Sequence, residues 1–158
     1  MTIRVYREAD RQTLKEITAV YFDGVCIDQN IENRFGPIDG KNWQWRKVRH
    51  IDADVAANAS GIFVAEFGEC VAGYITTRID RESRIDAIPN IAVLPEFQGK
   101  GIGKALMRRA LDYLREQGMV LAKIETLDQN QIGSTFYPQT GFCEVARQIH
   151  YIMPLEPG

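Results

Sequence analysis

The glycine-rich stretch Pro95–Leu106, PEFQGKGIGKAL, limits the possible folds of this chain more than any other feature. It follows the apolar run IPNIAVLP and precedes a helical pattern of apolar residues. A loop that enters a helix leaves the first backbone N–H groups unpaired at the positive end of the helix dipole. Glycines there remove the Cβ atoms that would keep a phosphate away. The stretch therefore predicts a strand, an anion-binding loop and a helix, in that order.

Two familiar phosphate-binding patterns do not fit this loop. The dinucleotide pattern GxGxxG fails because Lys104 stands where the third glycine belongs. The P-loop pattern GxxxxGK[ST] fails because Gln98 and Ala105 replace its first glycine and its metal-binding hydroxyl. The spacing therefore argues against a nucleotide-binding domain of either type and leaves a Gln98-x-x-Gly101-x-Gly103 pattern to explain.

Hydrophobic spacing predicts strands and helices in an order that mixes hairpins with crossovers. The first strand is predicted at Ile3–Tyr6, and two apolar runs flank a hairpin turn at Gly68-Glu69. Helices are predicted around Leu14–Phe22, over Asn42–Asn58 and Gly103–Gln117, and from Asn130 onward, whereas Gly24–Lys41 is predicted as a long loop. VLAKIETL is predicted as a strand and FCEVARQIHYIMPL as one or two closing strands. This order indicates an α/β (α+β) fold in which helices cover both faces of a mixed sheet.

Composition predicts an ordinary globular protein and excludes several functional classes. The chain has 158 residues, 45% of them hydrophobic and 25% charged, with a formal net charge of -2. We expect a single domain over residues 1–158, with no general nucleic-acid or membrane surface. The charged N-terminal sequence MTIRVYREAD and the lack of a membrane-length apolar run favour a cytoplasmic location. The three cysteines, Cys26, Cys70 and Cys143, form no CxxC pair, so we expect buried, reduced thiols and no metal.

Two motifs at the right separation resemble those of the GNAT superfamily of acyl-CoA N-acyltransferases. The family's pyrophosphate loop reads Q/R-x-x-G-x-G/A, and here NIAVLPEF precedes Gln98, Gly101 and Gly103. Downstream, the family often has a strand glutamate, an asparagine five positions later and an FY...GF ending, which match Glu125, Asn130, Phe136-Tyr137 and Gly141-Phe142. The resemblance covers Asn90 to Phe142 and extends to the first ninety residues only in element order. It implies a mostly antiparallel central sheet of six to seven strands flanked by about four helices.

The resemblance also implies a binding site for acetyl-CoA. In the family, the fourth and fifth strands separate at a bulge, and the pantetheine arm lies in the gap as an added strand would. Backbone contacts to the arm would come from Ile91, Ala92 and Val93. The pyrophosphate would be bound by Gln98, Gly99, Lys100, Gly101, Ile102, Gly103 and Lys104, and Asn130 would contact the coenzyme. No metal is implied.

The same resemblance assigns two catalytic residues, Tyr137 as the general acid for the departing thiolate and Glu125 as the general base. Asn130 and Tyr137 are seven positions apart, so they share one face if the short helix begins at Asn130. Pro138 would alter the aim of Tyr137 because proline removes a helical hydrogen bond. For the base, Asp86 in the preceding loop and water remain alternatives, and Glu125 could instead be a solvated strand residue paired with Lys123.

The predicted activity is direct transfer of an acetyl group from acetyl-CoA to a primary amine in a ternary complex. The alternative is a non-catalytic acyl-CoA-binding sensor or partner-binding module. A small-molecule amine or a peptide N-terminus remains open as the acceptor, and a homodimer is left open too. In the family, the region of Trp43, Trp45, Arg46, Lys47 and Arg49 shapes the acceptor pocket, although a solvated helix face explains these residues more simply.

Overall fold

The computed structural model describes residues 1–156, which form two sheets. Strands β1 (Thr2–Val5), β2 (Phe63–Phe67), β3 (Cys70–Ile75) and β5 (Ile91–Val93) make an antiparallel sheet in the order β1-β2-β3-β5. Strands β4 (Ile85–Ile88) and β6 (Leu121–Ile124) make a second, parallel pair. The six strands confirm the predicted mixed, mostly antiparallel arrangement.

In the described part of the chain, five α-helices flank the strands, and they cover both faces of the larger sheet. They are α1 (Arg11–Tyr21), α2 (Ile27–Phe35), α3 (Trp43–Asn58), α4 (Ile102–Glu116) and α5 (Gln131–Gln139). On one face, Leu14 of α1 and Ile51 of α3 pack with Tyr74 of β3. On the opposite face, Leu106 of α4 packs with Ile75. Both clusters are almost completely buried, so burial of these apolar side chains drives the layers together.

Local sequence signals account for most element boundaries. Helix α3 begins after Asn42, whose Oδ1 accepts a hydrogen bond from the Trp45 N–H at 2.9 Å. The β2–β3 hairpin turns at Gly68-Glu69, with Gly68 at φ +67°, as predicted. Helix α2 lies within the stretch predicted as a loop. It is only nine residues long and buries none of them fully, although Ile27, Ile31 and Phe35 recur at helical spacing.

The closing strands predicted for FCEVARQIHYIMPL are absent from the described chain, and that prediction was wrong for this structure. From Phe142 to Leu155 the backbone forms neither helix nor strand. The alternating pattern typical of a strand is present, but a strand also needs a neighbouring edge, and no described strand pairs with this segment. The expectation of three buried thiols was also wrong, because only Cys26 is buried, whereas Cys70 and Cys143 are exposed.

Among residues 1–156, no helix has both the length and the apolar composition needed to cross a membrane.

Candidate active site

A β-bulge separates β4 from β5 and leaves one edge of β5 open. Arg78 pairs with Ala87, and Ile75 pairs with Ile91. The two pairs are three residues apart on the β3 side and four residues apart on the β4–β5 side, so the β4–β5 side contains one extra residue. Strand β6 follows β4 as far as the pair Ile88–Ile124 and then ends. Within the described residues, no strand occupies the outer edge of β5. The divided strand β4–β5 and the neighbouring β6 thus form the gap expected between the family's fourth and fifth strands.

The open edge of β5 directs backbone groups of Ile91 and Val93 into this gap. The Asn90 carbonyl and the Leu94 N–H both bond to the β3 side, at 2.9 Å each. Because backbone groups alternate along an antiparallel strand, those of Ala92 also face β3, whereas those of Ile91 and Val93 face outward. The Gln98 side chain donates to the Val93 carbonyl at 3.1 Å. Of the three residues predicted to contact the pantetheine arm, only Ile91 and Val93 therefore offer outward backbone groups.

The glycine loop follows this edge after the short 3-10 turn Pro95–Phe97 and leads into the first turn of α4. Gly99 and Gly101 have φ values of +77° and +81°, and nothing lies within 4 Å of where a Cβ would project from either residue. The first helical bond of α4 runs from the Ala105 N–H to the Gly101 carbonyl. The N–H groups of Ile102, Gly103 and Lys104 precede that bond and have no partner within the helix. The loop thus presents a bare backbone and three free donors at the positive end of the helix dipole.

The third glycine has a different reason for being small. Gly103 has no positive φ, and a Cβ there would lie 3.5 Å from the Phe136 ring. That distance is an ordinary contact, so alanine fits at this position, as the family pattern allows. The turn itself accounts for Gly99 and Gly101, while Gly103 brings α4 against α5. The exposed Lys100 and Lys104 side chains flank the same loop.

Asn130 and Tyr137 lie on one face of α5, as their spacing predicted. Asn130 is buried and caps the helix, with its Oδ1 accepting from the Gly133 N–H at 3.0 Å. A Cβ on Gly133 would lie 3.0 Å from Tyr137 Cε2 and 3.1 Å from Asn130 Nδ2, so the two side chains meet over this glycine. Sequence analysis missed Gly133, although a glycine inside a helix is itself a signal of close packing.

Burial raises the pKa of the Tyr137 hydroxyl well above its usual value, and the nearby Tyr21 hydroxyl adds to the effect. Burial also raises the pKa of Tyr21, which the Asn130 side chain partly offsets. The Tyr137 ring packs edge-on against Phe136 and Phe142, with centroids 5.6 and 6.1 Å apart. Pro138 lies in the last turn of α5, so Tyr137 precedes the proline and is still part of the helix. Tyr137 is therefore a protonated, half-buried donor at neutral pH.

The two carboxylates considered as bases lie in contrasting environments. The Glu125 side chain is 73% exposed, and its Oε1 is 3.4 Å from Lys123 Nζ. Asp86 lies within β4 rather than in a loop, and it is buried. Neither carboxylate oxygen of Asp86 has a hydrogen-bond partner, and burial raises its pKa to about 6. Asp86 shares the α4 side of the strand with Ile88, whereas Lys123 and Glu125 face the opposite side.

A buried polar network holds the bulge from the α3 side. Asp54 accepts hydrogen bonds from Asn90 Nδ2 at 2.7 Å and from Thr76 Oγ1 at 3.0 Å. Arg78 also donates to Asp54, at 3.0 Å. Lys47 Nζ donates to Asn90 Oδ1 at 2.9 Å and lies 4.1 Å from the centroid of the Phe22 ring. Burial lowers the pKa of Lys47.

This network corrects the predicted orientation of α3. The solvated helix face expected for the region from Trp43 to Arg49 is only partly found, because the buried positions of α3 are Trp43, Lys47, Ile51 and Asp54. Lys47 is therefore not on a solvated face, while Trp45 is 42% exposed. The charged positions are buried because they satisfy each other through Asn90 at the bulge. Lys47 and Asp54 stand four and three residues from Ile51 and so share its face of the helix, but spacing alone does not predict that a charged residue is buried.

The chain before α3 closes the same side of the gap. Gln129 donates to the Gly24 carbonyl at 2.7 Å, and Asn30 of α2 donates to the Gln129 side chain at 2.8 Å. Arg46 donates to the Asp28 carbonyl at 3.0 Å. The segment from Gly24 to α2 is thus tied to the residue next to Asn130, which places it beside the gap between β5 and β6.

Residues 28–142 match the Acetyltransferase (GNAT) family, and the chain belongs to that family. An uncharacterized N-acetyltransferase of Archaeoglobus fulgidus is 29% identical over 133 residues, which cover 83% of this chain and 87% of that relative. A mycothiol acetyltransferase of Streptomyces griseus is 33% identical over 82 residues, or 52% of this chain, and the match spans only 27% of the relative's length.

The same fold is present in the crystal structure of the PaiA N-acetyltransferase of Thermoplasma acidophilum in complex with coenzyme A. The two structures have a TM-score of 0.72 at 21% identity, with coverage of 90% of this chain and 89% of that chain. These matches confirm the resemblance to the GNAT superfamily that the sequence motifs indicated.

Proposed function

We propose that this protein transfers an acetyl group from acetyl-CoA to a primary amine, directly and within a ternary complex. One observation carries the proposal. The outward backbone groups of Ile91 and Val93 are followed, after one 3-10 turn at Pro95–Phe97, by the bare loop at Gly99 and Gly101 and the free donors of α4. An extended amide-containing arm that ends in a pyrophosphate matches this surface, because the arm can pair as a strand and the pyrophosphate can accept the N–H groups.

The coenzyme-binding role falls to the backbone, with side chains in support. Ile91 and Val93 pair with the arm, and Gln98 positions the Val93 carbonyl at the entrance to the loop. The N–H groups of the loop and the first turn of α4 bind the pyrophosphate, and Lys100 and Lys104 add positive charge. Asn130 caps α5 beside the reacting end of the coenzyme.

Transfer requires a neutral amine, attack of its nitrogen on the thioester carbon, and cleavage of the carbon–sulfur bond. Tyr137 donates its proton to the departing thiolate, and its raised pKa keeps that proton in place at neutral pH. Glu125 accepts the amine proton, directly or through one water, from its exposed position on the α3 side. Asp86 is the less suitable base because its carboxylate is buried on the opposite side.

The acceptor enters from the α3 side, between the Gly24–α2 segment and Glu125. A small amine or a peptide N-terminus fits this opening, and we place the activity in the cytoplasm. The bulge that turns the backbone of Ile91 toward the coenzyme arm is held by Asp54, Lys47 and Asn90.

The test combines binding with turnover. Acetyl-CoA should raise the melting temperature by several degrees, because about 2.7 kcal/mol of stabilisation is expected at a hundredfold excess over Kd. A panel of small amines and peptides is then assayed for free-thiol release, and mass spectrometry checks for the N-acetylated product. Reactions without acceptor correct for the exposed Cys70 and Cys143 thiols. Binding without turnover on any acceptor would instead support the acyl-CoA-binding sensor, and failure to bind would reject both functions.

A further inference from the structure

Lys47 places a cationic side chain in the interior beside neutral partners. The residue is only 8% exposed, and its Nζ donates to Asn90 Oδ1 at 2.9 Å. The Phe22 ring covers another side of Nζ, with its centroid 4.1 Å away. An ammonium group has three N–H donors, and a side-chain amide together with an aromatic ring does not cancel its charge. The surroundings of Lys47 therefore satisfy a hydrogen bond but leave the charge without a counterion.

The acidic side chains closest in space to Lys47 are engaged by other cations. Asp54 Oδ1 lies 3.0 Å from Arg78 Nη2, and Asp28 Oδ1 lies 3.8 Å from Arg46 Nε. Within residues 1–156, neither carboxylate forms an ion pair with Lys47. Burial lowers the pKa of Lys47, and the acidic groups around it offset this effect only in part. A buried cation in this position favours an anion that comes from outside the chain.

The charge of Lys47 is not required to hold the bulge in place. Asn90 Nδ2 donates to Asp54 at 2.7 Å, and the Asn90 N–H donates to Thr76 Oγ1 at 3.1 Å. The Thr76 N–H also donates to the Asn90 carbonyl, at 2.9 Å. Asn90 is thus fixed from three directions without Lys47. A neutral donor could complete Asn90 Oδ1 without the cost of desolvating a charge, so we attribute the charge to another role.

Lys47 lies on the proposed acceptor side of the gap. Its partner Asn90 directly precedes Ile91, whose backbone groups face outward into the gap. Phe22, which covers Nζ, ends α1, and the chain that follows it lies beside the same gap. Consecutive Cα atoms are about 3.8 Å apart, so a charge held at the Asn90 side chain is within the length of a small molecule from Ile91.

We propose that Lys47 selects acceptors that carry a carboxylate in addition to the reacting amine, an inference that rests on the proposed function. The carboxylate accepts a hydrogen bond from Lys47 Nζ and neutralises the buried charge, which directs the amine end of the acceptor toward the coenzyme. An acceptor with a second ammonium group in this place is repelled. The carboxylate can belong to a free amino acid or to the acidic side chain at the start of a peptide, because the chemistry is the same.

Matched pairs of acceptors test the selection by steady-state kinetics. Glycine, β-alanine and γ-aminobutyrate are each compared with their amides, and γ-aminobutyrate is also compared with putrescine, which has an ammonium group in place of the carboxylate. Peptides that begin with Asp or Glu are compared with peptides that begin with Asn or Gln, which distinguishes the two sources. For the best pair, the wild type should prefer the carboxylate in kcat/KM by roughly tenfold or more, as expected for a hydrogen bond between charged groups.

Lys47→Gln removes the charge but keeps a donor for Asn90, and it should reduce this preference to about twofold or less. Lys47→Met, which is close in length, should do the same, and circular dichroism checks the folding of both variants. A purely structural defect would lower both members of a pair alike and leave their ratio unchanged. The matched control is Arg49→Gln on the exposed face of the same helix, where Arg49 lies 4.7 Å from the Trp45 ring centroid. This control should keep the preference.

A binding measurement separates this proposal from acetyl transfer itself. In the presence of coenzyme A, calorimetry should show that the N-acetylated amino acids bind the wild type about tenfold more tightly than their amides. If Lys47→Gln abolishes that difference but no amine is acetylated, the carboxylate site is supported and the proposed function fails. A wild type that binds both products alike, or a preference that survives Lys47→Gln, would overturn the proposal whether or not the protein is active.

Discussion

The proposed coenzyme side and the proposed acceptor side of the gap are built by different means. On the coenzyme side, a few consecutive residues present backbone N–H groups and two glycines at positive φ. On the acceptor side, buried side chains meet from distant parts of the chain. Lys47 and Asp54 reach Asn90 across 43 and 36 residues. A site made by the backbone leaves a local sequence signature, whereas a site made by side chains is visible only after folding.

The largest expected effect is loss of coenzyme binding in Gly101→Glu. The glutamate backbone would have to adopt the positive φ of Gly101, and its side chain would bring bulk and negative charge against the pyrophosphate. The rise in melting temperature with acetyl-CoA should disappear. Gly103→Ala is the matched control, because its methyl group would make only an ordinary contact with Phe136, and it should keep the rise. If both variants keep the rise in melting temperature, or both lose it, the backbone of the glycine loop does not bind the pyrophosphate as proposed.

On the acceptor side, Asp54→Ala should lower the free energy of unfolding by about 3–5 kcal/mol. The change removes the carboxylate that accepts hydrogen bonds from the buried Asn90 and Thr76 side chains. The matched control is Asp52→Ala on the same helix, where the half-exposed side chain pairs with Arg11 and Lys15. That change should cost at most about 1 kcal/mol. Urea unfolding measures both. Because the glycine loop is untouched, acetyl-CoA should still stabilise Asp54→Ala, and loss of this response would show that the two sides are not independent.

Between the two sides, Tyr137→Phe should lower kcat by about a hundredfold, the usual range for loss of a general acid. Coenzyme affinity should change little, because only the hydroxyl is removed. Tyr21→Phe serves as a comparison, since Tyr21 lies close enough to influence the pKa of Tyr137. Steady-state kinetics with an identified acceptor would measure both. A larger loss in Tyr21→Phe would transfer the proton-donating role to that residue.

Asp86 should make stability depend on pH. Its pKa is raised from 3.8 to about 6 in the folded protein, so the folded state binds the proton more tightly than the unfolded state. The stabilisation is complete below about pH 4 and is lost as the pH rises through 6, with a total change of about 1–3 kcal/mol. Asp86→Asn should remove this dependence in urea titrations at pH 4 to 7.5. An unchanged pH profile would mean that Asp86 is solvated.

The smallest effect is expected for Glu125→Gln. We expect kcat/KM near pH 7 to fall by about tenfold, below the usual range for a general base because the side chain is exposed. An amine with a pKa of about 10.4 is mostly protonated at pH 7, so part of the loss should return as the pH approaches that value. Profiles from pH 6 to 10 would test this. A defect equal at all pH values would indicate positioning rather than proton removal.

The parts of this site that could be predicted share one property, which is that their constraints are local. The glycine loop, the start of α5 at Asn130 and the shared face of Asn130 and Tyr137 follow from short-range geometry. The buried face of α3 could not be predicted, because Lys47 and Asp54 are tolerable in a core only when Asn90 is present to bond them. The segment FCEVARQIHYIMPL was predicted to form closing strands, but an apolar pattern does not specify a neighbouring strand with which it would pair.

Because of the bulge at the end of β4, the structure of the chain from β4 to β5 depends more on the number of residues than on their identity. Ile88 and Ile91 both face α4, although three steps along a regular strand would place them on opposite faces. The extra residue is what lets Asn90 turn to the charges of α3 while Ile91 and Val93 stay in the apolar layer. Deleting Pro89 would move each side chain of β5 to the opposite face of the sheet. Insertions and deletions here should therefore be far less tolerated than substitutions, whatever the chemistry of the residue replaced.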